Sequence, residues 1–324
     1  MNTYFLYIFA FWSALILTII IESKLLPVLK KSAKQPIYSE GPSWHLSKKG
    51  TPTMGGIAFV VAITIVLLFT AIIMNQGIQN VYSVVITALF ALGNSMIGFF
   101  DDLTKLLRNK NAGLSPLQKI FLQLILSILF LMARRYYLDD ETSFSLWFGK
   151  INLGILYYPF SLILLLGVIN CANLTDGIDR LASSVAAVIG AVFLFLSANH
   201  NVASSLISLT LIGGTLGFLL FNNHPAKVFM GDTGSLFLGA MVASVAFSLG
   251  NPLIIILLGS VYVIEGVSVI LQVDFYKLTK KRLFKMAPLH HHLEKSGFSE
   301  NQICVIMAII TLLSSSLIPL IFRW

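Results

Sequence analysis

The chain reads as an all-α polytopic membrane protein of about ten transmembrane helices, with both termini extracytoplasmic and one small extracytoplasmic β-hairpin. Three observations predict this. Hydrophobic residues make up 56% of the 324 positions and charged residues only 11%, against roughly a quarter charged in soluble domains. The apolar residues collect in runs close to the roughly 20 that one helix needs to cross a bilayer, and a helix satisfies its own backbone polar groups there. The Lys and Arg residues, 22 in all, fall mostly between alternate runs.

The first run, 4–23, has no basic residue before it and no small-residue cleavage site after it, so it reads as a retained span and not a secretory signal. Further runs follow at 55–74, 81–100, 117–133, 155–172, 181–198, 203–221, 235–250, 253–273 and 302–322. Minimal loops join several of them, at 75–80, 199–201 and 251–252. A longer connection holds Phe144-Ser-Leu-Trp-Phe148, Gly149-Lys150 and Ile151-Asn-Leu153, which predicts a hairpin about a Gly-X turn. No repeat or Pro/Gly/Ser-rich linker divides the sequence, so residues 1–324 form a single integral membrane domain.

Orientation follows from the positive charge that short cytoplasmic loops accumulate. With the N-terminus outside, Lys24 to Lys49, Lys105 to Lys119, Arg180, Lys227 and Lys277 to Lys295 all face the cytoplasm. Only Arg134, Arg135, Lys150 and Arg323 face outward. The net charge of +8 therefore marks topology. Nucleic-acid binding is excluded, because the basic residues flank helix ends instead of forming a patch with aromatic platforms. Cys171 and Cys304 sit in or beside apolar runs and make no disulfide or metal framework.

Of the 14 carboxylates, Asp139, Asp140 and Glu141 lie outside and Glu265 falls within the ninth run; the rest map to the inner side. Asp101 and Asp102 close the third run, with Lys105 one helical turn beyond Asp101. Adjacent carboxylates repel unless a cation is near, and Mg²⁺ bridging phosphate oxygens would supply one; a solvated helix end paired with Lys is the plainer reading. Asn173, Asp176 and Asp179 recur every three residues and, if helical, share a face suited to a sugar, a base edge or a metal. Phe229-Met-Gly-Asp232-Thr-Gly-Ser235 leads into the eighth run, where glycine allows close backbone approach and a helix start offers N–H groups to phosphate. There Asp232 suits Mg²⁺, Phe229 a stacked base and Asn222 a hydrogen bond to substrate, although an ordinary inter-helix turn would look similar.

In Met286-Ala-Pro-Leu-His290-His291-His292-Leu-Glu294, consecutive histidines point in divergent directions, which suits a gripped diphosphate better than zinc. Lys48, the run Thr51-Pro-Thr53-Met-Gly-Gly56 and Lys119 complete the inner-face features, and the lysines would also serve as positive-inside anchors.

Taken in order, these motifs resemble the polyprenyl-phosphate N-acetylhexosamine-1-phosphate transferase superfamily, in the glycosyltransferase 4 family, across essentially the whole chain. The Pro-Thr-Met-Gly-Gly and Met-Ala-Pro-Leu-His-His-His-Leu-Glu runs are similar to those of its muramoyl-pentapeptide branch; the sister branch, which uses UDP-N-acetylglucosamine, carries a different histidine loop. The resemblance implies transfer of phospho-N-acetylmuramoyl-pentapeptide from UDP-MurNAc-pentapeptide to undecaprenyl phosphate, giving lipid I and UMP for peptidoglycan. It also implies Mg²⁺ dependence, a homodimer, and a place in the bacterial cytoplasmic membrane with the site on the cytoplasmic face.

Carried over by residue, Asp232 is the expected metal ligand, Asp101 and Asp102 the catalytic pair near the lipid phosphate, and His290 a phosphate-side group. Asp101 would act as base or as transient nucleophile. Lys48, Thr53, Lys105, Lys119, Asn173, Leu174, Asp176, Gly177, Asp179, Asn222, Phe229, Gln272 and His291 would line the nucleoside and diphosphate site. A secondary transporter would instead place ionisable groups near the midplane, and only Glu265 fits that picture.

Overall fold

The computed structural model describes residues 3–33, 48, 50–75, 77–108, 113–197 and 201–322. Lys34, Lys49, Lys110, Arg323, Gln76 and the loop residues Asn199 and His200, all parts of the loops and charge pattern read above, lie outside the described residues.

The fold is almost wholly helical, and its elements follow the apolar runs. They are α1 (Thr3–Ser32), α2 (Gly56–Ile73), α3 (Ile78–Arg108), α4 (Pro116–Leu138), α5 (Tyr157–Thr175), α6 (Leu181–Ser197), α7 (Val202–Asn222), α8 (Gly231–Ser248), α9 (Ile254–Leu258), α10 (Ser260–Thr279), α11 (Leu289–Glu294), α12 (Glu300–Ser315) and α13 (Ile318–Ile321). Seven segments among the described residues are long and apolar enough to cross a bilayer: α1, α2, α3, α4, the stretch Gly154–Thr175, α7 and Glu300–Ile321. The other three runs also fold as helices. α6 is apolar but shorter, α8 is diluted by Gly, Ser and Ala, and the run at 253–273 breaks at Gly259 into α9 and α10.

Start signals set several boundaries. Ser115 with Gln118, and Ser299 with Gln302, form reciprocal capping boxes at α4 and α12, each satisfying two otherwise orphaned N–H groups. Asn201 caps α7 by accepting the N–H of Ser204 at 2.9 Å.

α8 is the axis of the bundle. Every residue from Thr233 to Ser248 is buried, and the helix packs chiefly against α3 and α5, with α2, α7 and α6 around it. A helix enclosed on all sides needs small side chains for close neighbours more than bulk for lipid. α1 and α4 lie at the opposite extreme, exposing Phe5, Ile8, Trp12 and Ile16, and Leu117, Phe121, Ile125 and Leu129, as lipid-facing helices do.

Two strands, β1 (Ser143–Leu146) and β2 (Gly149–Asn152), form the expected hairpin. Its turn is Trp147–Phe148, not Gly149-Lys150: Leu146 pairs with Gly149 and Ser145 with Lys150. Gly149, at φ +147°, accepts the backbone bend into the second strand without a Cβ clash. Ile321 accepts the Trp147 N–H at 2.8 Å, and Asn251 donates to the Ser145 carbonyl at 2.6 Å. The hairpin, the 251 loop and the end of α13 therefore share one end of the bundle. The motif residues gather at the other.

Candidate active site

α3 runs on through residue 108, so Asp101, Asp102 and Lys105 stand on one continuous helix. Asp101 is fully buried, with Lys105 Nζ at 2.6 Å and Lys119 Nζ, from the first turn of α4, at 3.0 Å. It also accepts the Leu114 N–H at 2.7 Å. Asp232 opens α8 and meets the same two ammonium groups, Lys119 at 2.6 Å and Lys105 at 3.2 Å. Asn173, from the last turn of α5, donates to Asp232 at 3.1 Å and to Ser235 at 2.7 Å. Carboxylate oxygens of Asp101, Asp102 and Asp232 lie within 4.8 Å of one another: three hard donors, two cations and an amide meet in one pocket.

Asp102 has a second task. α8 begins at Gly231, φ +70°, with no cap from its own N-cap residue. Asp102 fills that place from α3, accepting the N–H of Thr233 at 2.9 Å, its hydroxyl at 2.7 Å and the N–H of Asp232 at 3.2 Å. A carboxylate at a helix N-terminus satisfies orphan donors and complements the dipole.

The Thr51–Gly56 run holds this arrangement by backbone bonds. Phe229 N–H donates to the Pro52 carbonyl at 2.8 Å, and Gly55 and Gly56 donate to the carbonyls of Phe229 and Met230 at 2.9 and 3.1 Å. Thr53 is buried, its hydroxyl facing Gly231. Phe229 is half-buried.

The three-residue spacing of Asn173, Asp176 and Asp179 does not lie on one helical face, because α5 ends at Thr175 and residues 176–180 turn. Asp179 points away from Asn173 into a second cluster. It pairs with Lys48 at 2.8 Å and accepts from the Ala226 N–H at 3.0 Å, with His224 Nδ1 at 2.8 Å. Glu300, at the start of α12, also takes Lys48 at 2.8 Å and the Asp179 N–H at 2.8 Å. Burial alone would raise the Asp179 carboxyl, but the hydrogen bond and charge of Lys48 outweigh it and hold the group below the usual range. Lys48 is correspondingly raised, its two carboxylate partners overcoming burial. Asp176, between the clusters, is pushed well above the usual carboxylate range by burial and then by the charges of Asp232, Asp102 and Asp179.

Some expected contact residues are bound to the protein itself. Asn222 accepts from the Arg180 N–H and donates to the Val228 carbonyl at 3.0 and 2.9 Å, bracing the 222–230 loop. Gln272 accepts the Phe284 N–H at 2.8 Å, tying the histidine loop to α10. Leu174 is partly exposed beside the site.

The expected divergence of the three histidines is only partial: the rings of His290 and His291 lie 4.2 Å apart, while His292 packs on Phe284. His292 accepts the Lys285 N–H at 3.1 Å, His291 meets Glu294 at 2.6 Å, and His290 is fully buried with its ring against Gly177. Glu300, His224 and Glu265, which sits against His290 at 3.1 Å, were not among the expected site residues. For Glu265 a signal existed, since an ionisable residue within an apolar run is a functional candidate by default.

The glycosyl transferase family 4 model matches residues 81–250, and the phospho-N-acetylmuramoyl-pentapeptide-transferase signature 1 matches residues 48–60. A phospho-N-acetylmuramoyl-pentapeptide-transferase of Clostridium perfringens strain 13 is 42% identical over 305 residues, covering 92% of this chain and 94% of that protein. The chain belongs to the phospho-N-acetylmuramoyl-pentapeptide-transferase family. A relative of the same name from Caldanaerobacter subterraneus is 40% identical, covering 95% of this chain and 96% of its own length, so the family match runs nearly end to end. The signature of the family spans Lys48 and the segment that clasps Phe229 and Met230. The chain is thus a multi-pass membrane transferase, and its family motifs are those whose side chains converge in the structure.

Proposed function

We propose that this enzyme transfers phospho-N-acetylmuramoyl-pentapeptide from UDP-MurNAc-pentapeptide to undecaprenyl phosphate, releasing UMP and forming lipid I, the first membrane step of peptidoglycan synthesis. The observation that carries this reading is the pocket of Asp101, Asp102 and Asp232 with Lys105 and Lys119, in a chain whose named relatives share that activity. The same proposal sets ten helices across the bacterial cytoplasmic membrane, termini outside, in a homodimer with the site facing the cytoplasm.

The donor chemistry fits Mg²⁺, which takes hard oxygens, usually one or two carboxylates plus substrate phosphate. Asp232 would hold it, with Asp101 beside it. When bound, the ion supplies positive charge against the phosphate oxygens as UMP departs.

The chain's own groups do the rest. Lys105 and Lys119 stabilise negative charge that grows on the phosphates, an effect strongest where donors are already in place. Asp101, placed beside those ammonium groups, takes the proton of the lipid phosphate. One oxygen of that phosphate then attacks the sugar-linked phosphorus, the P–O bond to UMP breaks, and a new phosphoanhydride replaces the old, so no ATP is needed. Lys48, Asp179 and Phe229 take the nucleoside; Asn173, Asp176, Gly177, His290 and His291 line the diphosphate and sugar side. Thr53, Asn222, Gln272 and Leu174 shape the walls.

The test is UMP release by purified enzyme given undecaprenyl phosphate and UDP-MurNAc-pentapeptide, with and without Mg²⁺. Release should require the ion. Equal or better turnover with UDP-N-acetylglucosamine would move the chain to the sister branch.

A further inference from the structure

Glu265 is fully buried in α10, within its apolar stretch from Val261 to Leu271. A carboxyl group in such surroundings is costly unless partnered, and among the described residues its side chain meets His290. Both carboxylate oxygens lie within reach of the His290 backbone N–H, at 3.2 and 3.3 Å, and Oε2 is 3.1 Å from His290 Nδ1. His290 is itself fully buried. The far edge of its ring turns to the 176–179 turn, where a Cβ on Gly177 would overlap Nε2 first and Cε1 next. Neither ring nitrogen makes a hydrogen bond among the described residues, but Nδ1 stands beside the Glu265 carboxylate and Nε2 beside Gly177, and a buried polar atom without a partner is expensive to keep.

We propose that Glu265 is the positioning residue for His290: its carboxylate holds the backbone N–H, stands ready to accept a hydrogen bond from Nδ1–H, and so leaves Nε2 as the nitrogen turned to the substrate. The logic is that of a carboxylate orienting an imidazole through the nitrogen not used for chemistry. Glu265 touches no reacting atom. Gly177 completes the device, because any side chain there would displace the ring. This inference rests on the transferase reading, so its test includes a readout that needs no turnover.

The full-length enzyme, labelled with ¹⁵N at histidine, is compared with Glu265→Gln, which keeps size and an acceptor but puts an amide NH₂ in the shared position. The wild type should show His290 protonated at Nδ1, and the variant should lose that signature. In the transfer assay, Glu265→Gln should lower kcat about tenfold to 100-fold, the usual effect of removing an orienting partner, with KM for the nucleotide donor within about twofold of wild type. In a His290→Ala background the same substitution should change nothing further. Glu265→Asp, which keeps the carboxylate, should retain the Nδ1 signature and recover part of the rate; it carries the test if the Gln variant does not fold. An unchanged imidazole spectrum in Glu265→Gln, or effects that multiply in the double variant, would overturn the assignment. Absence of UMP release by the wild type would overturn the transferase reading alone.

Discussion

Two neighbouring carboxylates on α3 are bound to different partners: Asp101 faces Lys105 and Lys119, whereas Asp102 receives the N–H groups of Asp232 and Thr233. Substitution should separate them. Asp101→Asn and Asp232→Asn should each reduce turnover at least about 100-fold, the scale of a removed electrostatic group. Asp102→Ala should, in addition, cost about 1–2 kcal/mol of stability through loss of the α8 cap. Thermal unfolding in detergent checks the difference, and an Asp102→Ala midpoint equal to wild type would dismiss the capping role.

Among the elements, the approach of α3 to α8 decides where Asp232 stands. Gly98, one turn before Asp102, lies so close to α8 that a Cβ would overlap the Asp232 carbonyl and the Thr233 nitrogen. Backbone cannot yield as a flexible side-chain end can, so Gly98→Ala must push the helices apart, at a cost of at least about 1–3 kcal/mol. The displacement falls on Asp232 and on the Asp102 cap together. Gly98→Ala should therefore lower the unfolding midpoint and lose most transfer activity, although residue 98 carries no chemistry. A variant of wild-type rate and midpoint would show that the two helices have room that the structure does not give them.

Across the whole molecule, Lys48, Asp179 and Glu300 tie three distant parts of the chain: the segment before α2, the turn after α5 and the start of α12. The pH dependence follows from their shifts. Asp179 is depressed, so its contribution is complete above the unfolded carboxylate value of about 3.9 and is lost as pH falls through the lower folded value. Lys48 is raised, so its contribution is complete below about 10.4 and is lost as pH rises through the folded value. The difference in unfolding midpoint between wild type and Asp179→Asn should stay flat from about pH 5 to pH 9 and shrink below about pH 4. A difference that changes steadily across neutral pH would rule out the pair as its source.

The sequence by itself determined the helical membrane fold, the gathering of its motifs and the reaction class, because apolar runs, loop charge and short motifs are local properties that survive without coordinates. Asp101, Asp232, Lys105 and Lys119 were legible as candidate site residues for that reason, and the structure brings them together. Only the tertiary structure decided which groups meet which. Lys48 reaches Glu300 across 252 residues, and no spacing rule spans that distance. The repeat of Asn173, Asp176 and Asp179 looked like one face but divides between two clusters, since α5 stops at Thr175. Glu265 read as a lone charge in an apolar run until α11 brought His290 onto it. Asp102 looked like the twin of Asp101, and packing set its oxygens on the start of α8, since a buried helix terminus must find acceptors wherever the neighbouring helix supplies them.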